Sequence, residues 1–256
     1  MNAGSVAETM DLLQRIVDEE ADRDCRLALF PALYLELTQR LSETLEAGEF
    51  ENPAAIRQIA VRFANRYFDA FSNDRNGGEV SKSWQIAFDE AKAGRLLAIQ
   101  DLLLGVNAHI NLDLAVATAE VGGREIEVLE RDFNHINVLL EDLFDRAQHV
   151  LNSVSPLLHV LDGLGGRGDE WLGNFILRKA RDSAWANALY LATLPSTLRP
   201  TWVSMLDTAT GRLGRMISAP GFIVSKAVDL IRETEERNVK IIVTELAKVQ
   251  EAPRAV

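Results

Sequence analysis

The chain has 256 residues, 47 % of them hydrophobic and 25 % charged, and a formal net charge of −11. That length buries a substantial core, as one large domain or two small ones, and the composition excludes disorder for all but the ends. A surface this acidic repels phosphate backbones and anionic lipid, so neither nucleic acid nor a membrane surface is the expected partner. The single cysteine, Cys25, rules out an internal disulfide. It stands in the charged run Asp22-Arg23-Asp24-Cys25-Arg26 and reads as a packed or half-exposed thiol. Met1-Asn2-Ala3-Gly4-Ser5 lacks the basic-then-apolar pattern of a signal peptide, and apolar runs are broken by charges short of membrane-spanning length, so a cytoplasmic location is expected.

Apolar residues recur at helical spacing nearly everywhere and alternate as in strands almost nowhere. A first amphipathic helix is expected over about 6–22, and a second over about 26–47 with Leu29, Leu33, Leu37, Leu41 and Leu45 four apart, stopped by Gly48. Asn52-Pro53 restarts a helix, Asn as cap and Pro in the first turn, carrying Ile56, Ile59, Phe63, Tyr67 and Phe71. Ser72 through Gly78 reads as a loop, a short helix with Trp84 and Phe88 follows, and Gly94 precedes the most apolar helix of the chain. Gly122-Gly123 closes that helix, a long amphipathic one spans about 124–151, and Ser155-Pro156 marks a break. Gly163 through Gly168 is the most glycine-rich stretch, and helices at about 169–194, 200–218 and 222–249 complete an all-α bundle or orthogonal array of about 9–10 helices. We expect one domain over 1–256, with the helices at 200–249 packed on the rest.

Residues 99–120 are apolar nearly all round, as in a helix surrounded by others, yet contain Asn107, His109, Asn111 and Asp113. Buried polar groups without partners cost a few kcal/mol each, so these four need a reason. At about 100° per residue, Asn107 pairs with Asn111 and His109 with Asp113 on roughly opposite sides, so one helix offers polar groups to two neighbours. Three readings of His109 and Asp113 stay open: a structural hydrogen bond, two ligands of a divalent metal, or an acid/base dyad whose carboxylate fixes the imidazole tautomer.

Asp132 lies near the centre of the buried stripe of the 124–151 helix, flanked by His135 and Asn137, and either caps or pairs locally or adds a carboxylate to a site at His109. His149 points away from that stripe, and His159 reads as packed. Arg178 and Asp182 have ion-pair spacing, whereas Arg181 and Trp185 one turn apart suit the wall of a pocket for a planar or anionic ligand. Tyr34, Tyr67 and Trp84 are core aromatics with polar tips that a pocket can use. Phosphate loop, dinucleotide fingerprint, His-Glu-x-x-His and Gly-x-Ser-x-Gly are all missing, so no nucleotide cofactor is expected.

Leu29-Phe30, Tyr34, Thr38, the run Gly48 to Pro53 and the run Phe63 to Phe68, followed by Asn107-Ala108-His109-Ile110-Asn111-Leu112-Asp113-Leu114, resemble a family of uncharacterised, mostly microbial helical proteins. Asp132-Phe133, Ile136-Asn137 and Arg181 through Trp185 extend the likeness, which covers about residues 28–190. The resemblance implies that His109, Asn111, Asp113, Asp132, Asn137, Arg181 and Trp185 form one constellation. It supplies no reaction. One departure is Leu114-Ala115 where that family has Leu-Pro, which implies a helix running straight past Asp113.

The expectation is therefore a small-molecule enzyme, a cyclase, lyase or hydrolase, working by acid/base chemistry at His109 and Asp113 with Asp132. Tyr34, Tyr67, Trp84, Asn107, Asn111, Asn137, Arg181 and Trp185 are its candidate substrate contacts. A divalent metal, if bound, would sit on His109, Asp113 and Asp132, and the partner is a small, largely apolar molecule. The alternative is a ligand-binding or scaffold protein whose buried polar residues fix helix packing; a homodimer stays open.

Overall fold

The computed structural model describes residues 1–158, 173–219 and 222–252, and the side chains of 173–179 and 222–224 are left aside. Glycine-rich 163–168, His159 and Trp171 lie outside the described residues, as does the side chain of Arg178. Among the described residues there is no strand, and counting the uninterrupted run Ala98–Val154 as one gives nine helices.

Ser5 accepts from Glu8 N and opens α1 (Val6–Asp22). A 3-10 turn at Arg26–Ala28 leads into α2 (Leu29–Glu46), which ends just before Gly48 at φ 73°. Helix α3 (Pro53–Asn76) starts on Pro53 as expected but runs through the predicted loop at Ser72 to Asn76. Tertiary contact overrides composition there: Arg75 lies over the Phe71 ring at 4.9 Å and pairs with Glu19 and Glu20 of α1. Gly77, at φ 70°, supplies the left-handed residue that ends it. Helix α4 (Lys82–Ala93) carries Trp84.

At the centre stands a rod of three parts: α5 (Ala98–Ala108), a π-helical turn at His109–Leu114, and α6 (Ala115–Gly122). The expected straight helix past Asp113 is thus replaced by a widened turn, formed without any proline. A run of 3-10 turns, Gly123–Leu129, joins the rod to α7 (Glu130–Val154), so the helix expected from 124 begins at 130. Then come α8 (Gly173–Thr193), α9 (Arg199–Ser218), α10 (Phe222–Thr234) and α11 (Val239–Leu246). The helix expected over 222–249 is therefore two. The break falls where Glu235 turns inward to Arg26 and Asn238 caps α11 by accepting from Ile241 N.

The rod is walled by α2, α3, α4, α8 and α9, while α7 packs on α2, α8 and α11. Buried apolar residues from Ala3 to Ala252 form a single cluster. The Ala98–Val154 run is apolar and long enough to cross a membrane, but 89 % of its apolar stretch is buried inside the fold.

Candidate functional site

The π turn contains His109, Asn111 and Asp113, with Asn107 in the last turn of α5, and such turns recur at functional sites because one extra residue per turn re-aims side chains. His109 and Asp113 are each 2 % exposed, and His109 Nδ1 lies 3.0 Å from Asp113 Oδ2. Asp113 has two further partners: Trp84 Nε1 donates to Oδ2 at 2.8 Å and Arg66 Nε donates to Oδ1 at 2.9 Å. Trp84 Nε1 and Arg66 Nε can only donate, so both Asp113 oxygens accept and the proton on the shared bond belongs to His109 Nδ1. The other ring nitrogen, Nε2, then carries the lone pair. It is buried and has no hydrogen-bond partner.

Aromatic rings enclose the imidazole. Phe63 stacks on it with centroids 3.5 Å apart and planes 11° from parallel, and Tyr34 meets it edge-on at 4.7 Å. Phe30, Trp84 and Tyr67 stand at 5.5, 5.7 and 6.2 Å. Burial lowers the imidazole pKa; Asp113 opposes this, and Arg66 adds to the lowering. The ring is neutral at pH 7 as a result. Burial and the nearby Asp113 charge also push the Tyr34 hydroxyl well above its ordinary value, so it stays a phenol.

Neighbouring elements set each part. The Asp207 carboxylate of α9 accepts from Lys82 N, Ser83 N and Ser83 Oγ at 2.8–2.9 Å, fixing the first turn of α4 and with it Trp84. Gly105 lets Phe30 reach the rod, since a Cβ there would lie 2.5 Å from Phe30 Cδ2. A mid-helix glycine costs roughly 1 kcal/mol against alanine, and this close approach is what it permits. His109 lines a cavity of about 40 Å³ with Phe30, Tyr34, Phe63, Val106 and Leu140 among its walls.

The remaining candidates divide. Tyr34, Tyr67 and Trp84 gather on His109 as described. Asn107 and Asn111 bond each other at 3.0 Å, and Asn107 Nδ2 donates to Thr210 O at 3.0 Å, so this pair ties the rod to α9. Asp132 is engaged elsewhere: its oxygens accept from Glu51 N at 2.8 Å, Asn52 N at 2.7 Å and Asn52 Nδ2 at 3.2 Å. It anchors the turn before α3, the local role left open above, and Asn52 spends its side chain on Asp132 and Val128 O instead of on a helix cap. Arg181 donates to Asn137 O at 2.6 Å and pairs with Glu141, while Trp185 rests on Phe133 at 4.9 Å. No hydrogen bond or ring contact joins Asn137, Arg181 or Trp185 to the imidazole. They hold α8 to α7. The constellation implied by the resemblance is therefore two clusters.

The metal set does not assemble either. Both Asp113 oxygens are already taken, one by the Arg66 cation, and no group of three His, Cys, Asp or Glu side chains able to hold an ion occurs among the described residues. His149 is exposed, and burial pushes up the pKa of the half-buried Cys25 thiol, which suits an unreactive sulfur. Sequence reasoning overlooked Arg66, Phe63 and Phe30 as site residues. The available signal was Phe63 with Arg66 on α3, three apart and so on one helix face, one apolar and one cationic.

A family model described as a family of unknown function (DUF5995) matches residues 6–220. The chain belongs to that family. The match reaches beyond the 28–190 of the resemblance at both ends and takes in α1 and α9, the second of which positions Trp84. No curated protein and no solved structure matches the chain.

Proposed function

We propose that this member of DUF5995 is a small-molecule enzyme in which His109 Nε2 is a general base and Asp113 its positioning residue. The observation that carries the reading is a bare, buried Nε2 on a ring that lines an apolar cavity, while its partner nitrogen is locked by a carboxylate. A buried nitrogen left unpaired costs stability, and a proton acceptor next to a substrate space gives that cost a use. Trp84 and Arg66 keep Asp113 ionised and aimed, so it stabilises the imidazolium formed when the base takes a proton. Lyase or hydrolase chemistry fits best, since both begin with a proton taken by a base. A cyclase started by protonation fits less well, because the resting Nε2 carries no proton. The substrate is apolar where it meets the cavity.

A second reading rests on the size of that cavity. About 40 Å³ holds no substrate until α2 and α7 part, and a dyad packed this tightly also serves a binding or scaffold protein by fixing the π turn. Two measurements on one protein separate the readings. Nitrogen-15 NMR of the wild type should show a neutral Nδ1–H imidazole at pH 7 with a pKa below the ordinary 6.5. Hydrolysis of p-nitrophenyl alkanoates should vanish in His109→Gln and fall about 10²–10⁴-fold in Asp113→Asn. An Nε2–H tautomer, or an Asp113→Asn variant as active as the wild type, overturns the proposal.

A further inference from the structure

The apolar space does not end at His109. A second cavity of about 40 Å³ lies beside the first and shares Tyr34, Leu37, Phe63 and Leu140 with it. The first lobe runs along the rod at Val106, His109 and Ile110, and the second continues to Leu114. On α2 the two lobes take in Phe30 through Leu41, about 16 Å at 1.5 Å per residue.

No charged side chain lines either lobe. The hydroxyls of Thr9 and Thr38 are turned to backbone, donating to Ser5 O at 3.0 Å and Tyr34 O at 2.8 Å. The walls therefore offer a ligand hydrocarbon contact almost throughout, with the Tyr34 and His109 rings among them. A buried water needs two to four polar partners, so these lobes are dry. Tyr34 and Phe63 line both lobes and meet edge to face with ring centroids 5.8 Å apart, so the lobes join only where these two rings part. Val6, Leu37, Ala60 and Ile136 are only half-buried, so the second lobe meets solvent at the seam of α1, α2, α3 and α7.

We propose that this slot takes one unbranched alkyl or acyl chain, laid along α2 between α3 and α7, with its reacting end at His109. Only the last clause rests on the general-base reading. Once α2 and α7 part to admit it, the chain fills both lobes with carbon contacts, its polar groups confined to its two ends, at His109 and at the half-buried seam. An extended chain, one methylene wide, needs the Tyr34 and Phe63 rings to part far less than a compact ring system of equal carbon count does.

Calorimetric titration of the full chain with octanoate, decanoate and dodecanoate, and with adamantane carboxylate as the compact control, tests this. Affinity should rise about fourfold per added methylene, the equivalent of full burial, until the slot is filled. Adamantane carboxylate should bind at least tenfold more weakly than decanoate, and Ala60→Phe, with Leu37→Trp as a second plug, should weaken decanoate at least tenfold at an unchanged fold by circular dichroism. Affinity independent of chain length, or equal binding of the compact acid, overturns the slot and leaves the imidazole measurements to judge the base. Chain-length-dependent binding with no turnover of any p-nitrophenyl ester by the wild type keeps the slot and overturns the base.

Discussion

Two buried aspartates stand on the same rod, Asp101 at its first end and Asp113 in the π turn, nearer its second, and each is met by an arginine from outside it. Asp101 Oδ2 accepts from Arg26 at 3.2 Å; Asp113 Oδ1 accepts from Arg66 at 2.9 Å. At the first end everything else is a helix terminus. Arg26 also donates to Leu96 O at 2.5 Å and to Glu235 at 3.0 Å, and Glu235 in turn accepts from Ala98 N at 3.1 Å and Ser155 Oγ at 2.5 Å. That cluster ties the start of α5, the end of α7 and the break after α10 into one knot. At the second end the further partners are side chains, Trp84 and His109, and the chain of hydrogen bonds ends on a bare nitrogen beside a cavity. The lesson is that burial and charge do not by themselves mark a site. Each cluster leaves one buried atom without a partner, Asp101 Oδ1 and His109 Nε2; what separates them is that the first network runs to helix termini and the second to an imidazole enclosed by aromatic rings.

The largest effect should come from removing Arg26. It is 8 % exposed and sits between two carboxylates, so Arg26→Ala should cost about 3–5 kcal/mol in denaturant melts. Arg66 is 29 % exposed and solvent screens its loss, so Arg66→Ala should cost only about 1 kcal/mol. Equal losses, or the reverse order, would break the comparison between a structural knot and a poised site. Asp113→Asn comes next: about 1–2 kcal/mol for a weakened buried bond, with the Nδ1–H tautomer of His109 loosened in the same NMR spectrum.

In the pH dependence of stability the two clusters should pull in opposite directions. Burial pushes Asp101 up from 3.8 to about 7 despite Arg26 beside it. Stability held in its neutral form is fully present below about pH 4 and lost as pH rises through about 7. Glu36, raised by burial to about 7, adds to this alkaline loss. His109 behaves conversely: its folded pKa lies below the ordinary value of 6.5, so acid favours the unfolded chain and stability falls as pH drops below about 6.5. Melting temperature against pH should therefore flatten on the alkaline side in Asp101→Asn and on the acid side in His109→Gln. A single variant that flattens both sides would show the clusters to be coupled along the rod.

Sequence alone determined that the chain is helical, that about 99–120 is its central apolar helix, and that His109 and Asp113 share one face of it. Those properties rest on local periodicity: apolar spacing, the glycines at 48, 94 and 122–123, and the i,i+4 rule, none of which needs a neighbour. The π turn did not show, because an extra residue in a turn leaves the order of apolar and polar residues unchanged. Nor did the length of α3, since the ion pairs that carry it through Ser72–Asn76 come from α1. The single helix expected over 222–249 failed for the same reason, as Glu235 leaves helical geometry to serve Arg26, a residue 209 positions away. Asp132 and Arg181 carried the right chemistry in the wrong assignment. A carboxylate on a buried stripe looks alike whether it meets a metal, a histidine or two backbone amides, and only packing places Glu51 and Asn52 in front of it. His109 and Asp113 were legible in sequence as a pair; which imidazole nitrogen is bare was decided by Trp84 and Arg66, brought by other helices to donate to the two Asp113 oxygens.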